Sequence, residues 1–141
     1  MNSITGECLC GQITVSLTKE AFEATDKTLV CRCKNCRQSS GSLGSINIIV
    51  PESAVKITGQ PKLYRDSNTT SGAPLQRAFC GNCGSPIYSA SPNMPGIQAV
   101  KLGLFDKIPK PSAEQFCKAR PSWDKPIADA HQFDTVPPKQ S

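Results

Sequence analysis

Cys80-Gly81-Asn82-Cys83-Gly84 places two thiols close enough to share one metal ion, and its glycines permit the positive φ that turns backbone amides toward sulfur. Two ligands do not complete a tetrahedron. Cys8 and Cys10 are the natural second pair, because a strand carrying Cys-x-Cys projects both side chains to one face. Together the four form a closed sulfur site, with metal–sulfur distances of about 2.3 Å if the ion is zinc. Cys31, Cys33 and Cys36 form a second cluster, spaced C-x-C-x-x-C. Three protein thiolates leave one corner of a tetrahedron for an outside ligand, which separates a reactive zinc from a structural one. Arg32, Lys34 and Arg37 flank this cluster. They offset the negative charge of a three-thiolate zinc, and Arg32 and Arg37 can draw in the carboxylates of an incoming ligand. Other partitions stay open: Cys117 can close the second site as its fourth ligand, or Cys31, Cys33 and Cys36 can belong to one four-cysteine site, with Cys8 and Cys10 left as buried thiols. His131 reads as a surface or core residue and not as a ligand.

The expected frame is a single domain over residues 1–135 with a frayed tail over 136–141, since 141 residues suit one core. No apolar run approaches the roughly 18 residues that span a bilayer, and the N-terminus lacks the parts of a signal peptide. The expected location is therefore cytoplasmic, where eight cysteines point to metal and not to disulfides. The net charge of +5 is dispersed, and aromatic residues make up 6% of the chain, so the basic stripe with stacking aromatics that nucleic acid requires is missing.

Positioning these cysteines falls to short strands. Ile13, Val15 and Leu17 alternate with polar residues as a half-buried strand with Cys8 and Cys10 at its entry. Ala21 to Asp26 reads as a turn or short helical connection. Ile46 to Val50 is a clear strand, and further strands are expected at Val55–Ile57, Lys62–Arg65, Gln76–Phe79, Ile87–Ala90, Ile97–Leu104 and Glu114–Lys118. Gly, Pro, Asn and Ser punctuate them. Ser39 to Gly44 reads as a flexible loop able to rim the second cluster. The pattern is that of an all-β domain.

Gly6-Glu7-Cys8-Leu9-Cys10-Gly11, Cys31-Arg32-Cys33-Lys34-Asn35-Cys36-Arg37, Ser40-Gly41-Ser42 and Phe79-Cys80-Gly81-Asn82-Cys83-Gly84-Ser85-Pro86 resemble the glutathione-dependent formaldehyde-activating enzyme family, which includes centromere protein V. The resemblance runs from about Gly6 to Trp123. It implies a β-tent fold of small antiparallel sheets around a structural zinc held by Cys8, Cys10, Cys80 and Cys83. It also implies a reactive zinc on Cys31, Cys33 and Cys36, hence two zinc ions per chain. The activity implied is a carbon-sulfur lyase run in reverse, joining formaldehyde to glutathione as S-(hydroxymethyl)glutathione. Lys118 to Trp123 looks similar to a basic residue and tryptophan near the family's active site, which makes Trp123 a candidate substrate contact. The chain departs from the family in Arg32, where a histidine is common, and in Ala113 to Cys117, where a histidine often stands. The competing readings are a non-catalytic zinc module that binds a protein partner and a relative recruited to another step of specialised metabolism.

Overall fold

The structure is a computed structural model in which residues 2–137 are described. Strands β1 (Ser3–Glu7), β2 (Thr14–Thr18) and β5 (Val55–Thr58) form a small antiparallel sheet in the order β1-β2-β5. The larger sheet takes in β3 (Thr28–Cys31), β4 (Ser45–Pro51), β6 (Lys62–Asp66), β7 (Leu75–Phe79), β8 (Pro86–Ala90), β9 (Ile97–Lys101), β10 (Ala113–Gln115) and β11 (His131–Gln132). Its order is β11-β10-β3-β4-β9-β8-β7-β6. The architecture is all-β, as a β-tent requires. It differs from small antiparallel sheets alone in that β10 runs parallel to both β3 and β11.

The small sheet packs on one face of the large one. Val15 and Leu17 of β2 meet Ile48 and Val50 of β4, Ile87 of β8 and Val100 of β9 in one core, none of them more than 2% exposed. Alternation along β4 turns Ile48 and Val50 into this core and sends Asn47 and Ile49 to the opposite face. Truncating a fully enclosed side chain such as Leu17 to Ala would cost about 2–5 kcal/mol.

Two short helices interrupt the strands, α1 (Lys19–Phe22) and α2 (Lys34–Ser40). The second takes in Ser39 and Ser40, so the loop expected over Ser39 to Gly44 is confined to residues 41–44. It forms because both of its ends are satisfied. The Cys33 sulfur accepts the Cys36 amide at 3.3 Å, and Gly41, at φ 67°, closes the C-terminus with its own amide on the Arg37 carbonyl. Cys8 and Cys10 also depart from expectation, since they lie in the turn joining β1 to β2 and not on a strand. The strand expected through Lys118 ends at Gln115, where Phe116 turns to φ 57°. The expected tail over 136–141 falls outside the described residues from position 138 on.

Candidate metal centres and the adjoining cavity

The β1–β2 turn and the β7–β8 turn bring Cys8, Cys10, Cys80 and Cys83 together, with all four sulfurs within 4.8 Å of one another. The Cys8–Cys10 and Cys10–Cys80 sulfurs are each 3.7 Å apart. A tetrahedron of thiolates about 2.3 Å from an ion has sulfurs about 3.8 Å apart, so the donor set fits one four-coordinate ion. Backbone geometry supports the sulfurs. The Ile13 amide donates to the Cys8 sulfur at 3.3 Å, and the shift in β7–β8 pairing at Ala78/Phe79 leads the chain into the turn. Gly84 has the anticipated positive φ of 80°, whereas Gly81 does not, and a Cβ there would meet the Lys62 side chain at 2.9 Å. Ser85 sits beside Cys83 at 3.2 Å and holds its thiol down to about 5.

Cys31, Cys33 and Cys36 form the second group, also within 4.8 Å of one another. Cys31 ends β3, Cys33 caps α2 and Cys36 lies in its first turn. Hydrogen bonds from Cys31 and then Cys33, with the nearby charges of Lys101 and Arg77, outweigh burial and lower Cys36 to about 2. Its partner Cys31 is raised correspondingly, first by hydrogen bonding to Cys33 and Cys36 and then by burial. Negative charge thus collects on Cys36. Cys117 is outside both groups, with its sulfur directed at the Glu114 carbonyl and the Gln132 amide oxygen.

The three-sulfur group opens on a cavity of about 780 Å³. Strand register builds its floor. Gln115, Cys31 and Ser45 lie opposite one another across three strands, Leu29, Asn47 and Lys101 form the next row, and Ile49, Ala99, Ser89 and Arg77 the row after that. The floor is therefore the face of the large sheet turned away from the core.

Arg77 and Lys101 are the charged residues of the cavity lining, and neither stands out in the sequence. Lys101 is 8% exposed and donates to the Ser45 hydroxyl at 3.1 Å. Burial pulls its pKa down, against the negative charge at Cys36, Cys31 and Cys33. Arg77 donates to Asp66 at 2.9 Å. Burial would pull its pKa down as well, but Asp66 and then Cys36 outweigh that and raise it.

The expected carboxylate contacts lie elsewhere. Arg32 is buried and turned inward, bonded to Glu114 at 2.7 and 3.1 Å and to the Leu43 carbonyl at 3.3 Å, with Asp124 at 3.0 Å. It braces the Cys31–Cys33 backbone and is not available to a substrate. Arg37 is half-buried on α2, with its Nε enclosed and unbonded, and is not among the cavity residues. Trp123 is 70% exposed and also lies off the cavity. Ser40 bonds to the Gly44 carbonyl behind α2 and forms no rim, and His131 is exposed on β11. Among the described residues no helix is long and apolar enough to cross a membrane.

Known proteins are similar to this chain. A sequence model of the glutathione-dependent formaldehyde-activating enzyme family matches residues 3–119. A protein of Emericella nidulans, provisionally named as such an enzyme, is 29% identical over 83 residues, 57% of this chain and 38% of its own. The chain thus spans little more than a third of that relative. An uncharacterised lyase of Schizosaccharomyces pombe is 28% identical over 106 residues, 73% of this chain and 69% of its own. A crystal structure of a Rhodobacter sphaeroides protein has the same fold, with a TM-score of 0.58 at 18% identity, covering 74% of this chain and 90% of that one. With the family match extending over both cysteine groups and the strands that carry them, the chain belongs to the glutathione-dependent formaldehyde-activating enzyme family.

Proposed function

We propose that this protein is a zinc-dependent carbon-sulfur lyase that joins a thiol such as glutathione to a small aldehyde such as formaldehyde, and releases the pair in reverse. The observation that carries this reading is the contrast between the two cysteine groups. Four sulfurs saturate one tetrahedral ion, whereas three sulfurs face a cavity large enough for a substrate. Both donor sets are all-sulfur, with the sulfurs of each within 4.8 Å of one another, which suits zinc. Cys8, Cys10, Cys80 and Cys83 would hold the structural ion and Cys31, Cys33 and Cys36 the reactive one. An ion with an open corner lowers the pKa of a thiol and so supplies the thiolate at neutral pH.

In the reaction the thiol sulfur forms a bond to the carbonyl carbon, the C=O π pair moves to oxygen, and the thiol proton ends on that oxygen. The product is a hydroxymethyl thioether, and no oxidant or reductant is needed. Arg77 and Lys101 hold the anionic substrate beside the sulfurs, and the apolar wall limits water around the new bond. The test is exchange spectroscopy of ¹³C-formaldehyde with glutathione at equilibrium. Zinc-loaded protein should speed interconversion with S-(hydroxymethyl)glutathione, and Cys33→Ser should remove the effect. Exchange no faster than in buffer would refute the reading for this pair.

A further inference from the structure

The cavity suits a thiol with a less polar body than glutathione. It changes character along the strands. The sulfur end carries Cys31, the next row carries Lys101, and beyond it Ile49 and Ala99 share a row with Arg77, followed by Ile97 and Leu75. From Ser45 to Ile49 along β4 this gradient spans about 13 Å, at about 3.3 Å per residue. A volume of about 780 Å³ lies in the upper part of the roughly 300–1,000 Å³ range of pockets that take drug-sized ligands. Formaldehyde occupies a small fraction of it. A second charged terminus, as in glutathione, would meet only uncharged side chains beyond the Arg77 row, at Leu75 and Ile97.

Three further features of the lining bear on ligand binding. Met94 and Val136, 52% and 57% exposed, both belong to the cavity lining, so large apolar side chains are left in solvent where a ligand would cover them. Phe116 is also in the lining, held at φ 57° with its amide on the Thr135 carbonyl at 2.8 Å. A left-handed backbone at an aromatic residue is costly, and such strain gathers at ligand clamps. Finally, Lys101 is enclosed and, among the described residues, makes no ion pair, so a carboxylate placed a few atoms from the bound sulfur would find a cation waiting.

We infer that the thiol substrate bears a carboxylate close to its sulfur and an apolar body of medium-chain length, the carboxylate reaching Lys101 and Arg77 and the apolar body lying along Ile49, Ala99 and Leu75. The inference rests on the reading of Cys31, Cys33 and Cys36 as a thiol-accepting zinc site. N-acylcysteines carry the required groups in the required order. Calorimetric titration of the zinc-loaded protein should give a dissociation constant for N-octanoylcysteine at least about thirtyfold below that for N-acetylcysteine, well within what six buried methylenes can supply. N-octanoylserine, which lacks the thiol, should bind at least about tenfold more weakly than N-octanoylcysteine. Filling the far end with Ala99→Phe, or making it polar with Leu75→Ser, should shrink the octanoyl-to-acetyl ratio below about threefold in protein that keeps two zinc ions. Equal affinities for the acetyl and octanoyl compounds would overturn the inference and leave the zinc site standing. If no thiol of any length bound to protein with both ions in place, the lyase reading would fall as well.

Discussion

Arg32 and Glu114, 82 positions apart, are joined by two hydrogen bonds from the guanidinium to a single carboxylate oxygen, at 2.7 and 3.1 Å. The other oxygen of Glu114 accepts from Gln132 at 2.6 Å, the Ile127 amide at 2.9 Å and Arg120 at 3.2 Å. One enclosed carboxylate thereby fastens the C-terminal segment to the residue between Cys31 and Cys33. Replacing Glu114 with Ala leaves Arg32 buried with the Asp124 carboxylate and the Leu43 carbonyl as its remaining partners, and should cost about 3–5 kcal/mol. Urea unfolding of the metal-loaded protein measures this, and metal retention against a chelator should weaken first at Cys31, Cys33 and Cys36. An unchanged unfolding midpoint in the Ala variant would show that the pair does not brace the fold.

The same carboxylate should shape stability in acid. Burial alone pushes Glu114 up, but the Ile127 amide, Arg32 and Gln132 outweigh it, so its folded-state pKa lies below the ordinary carboxylate value. Asp66 is lowered as well, chiefly by the Asn35 amide and then, against burial, by Arg77. A depressed folded pKa gives stability that is complete above the unfolded value and is lost as pH falls through the folded one. Stability should therefore hold from neutrality to the ordinary carboxylate range and drop below it. Glu114→Gln, less stable than the parent at neutral pH, should show a shallower acid decline. Parallel declines in parent and variant would remove Glu114 as a source of the slope.

Metal removal should separate the two cysteine groups. Cys80→Ser breaks a ligand that is 2% exposed at the junction of both sheets, and should leave a protein that is largely unfolded by circular dichroism. Cys33→Ser should keep most strand signal, bind one zinc in place of two by elemental analysis, and lose activity. A Cys80→Ser protein with the parent's melting curve would mean that the four-sulfur group is not the structural one.

Recognition of the anionic thiol should depend on Arg77 and Lys101. Arg77→Met and Lys101→Met should each raise KM for glutathione about tenfold or more, the worth of a hydrogen bond to a charged group. Neutral 2-mercaptoethanol should be affected far less. Arg37→Ala, off the cavity, should change KM less than twofold. Equal penalties for charged and neutral thiols would assign Arg77 and Lys101 to structure alone.

What the sequence disclosed and what it hid follow the range of the interactions. The cysteine groups were legible because metal spacing is local, and Cys80-Gly81-Asn82-Cys83 announces its turn. Strands β2 and β4 were legible because one face of each is buried. Helix α2 was not, since a cysteine serves as its cap where serine or threonine would normally signal a start. Arg32 read as a contact for a ligand carboxylate, whereas its partner is Glu114, 82 positions away. Arg77 and Lys101 come together only through the β7–β8–β9 register, which no short window of sequence contains.

The parallel pairing of β10 with β3 has a consequence for synthesis. As the chain leaves the ribosome, Cys31, Cys33 and Cys36 emerge early, and the four-sulfur knot can close once Cys83 is out. Glu114 and the strand paired with Cys31 arrive some thirty residues later, so the nascent protein passes through a stage in which the three thiols are made but unsheltered. Early capture of metal would guard them against oxidation during that interval.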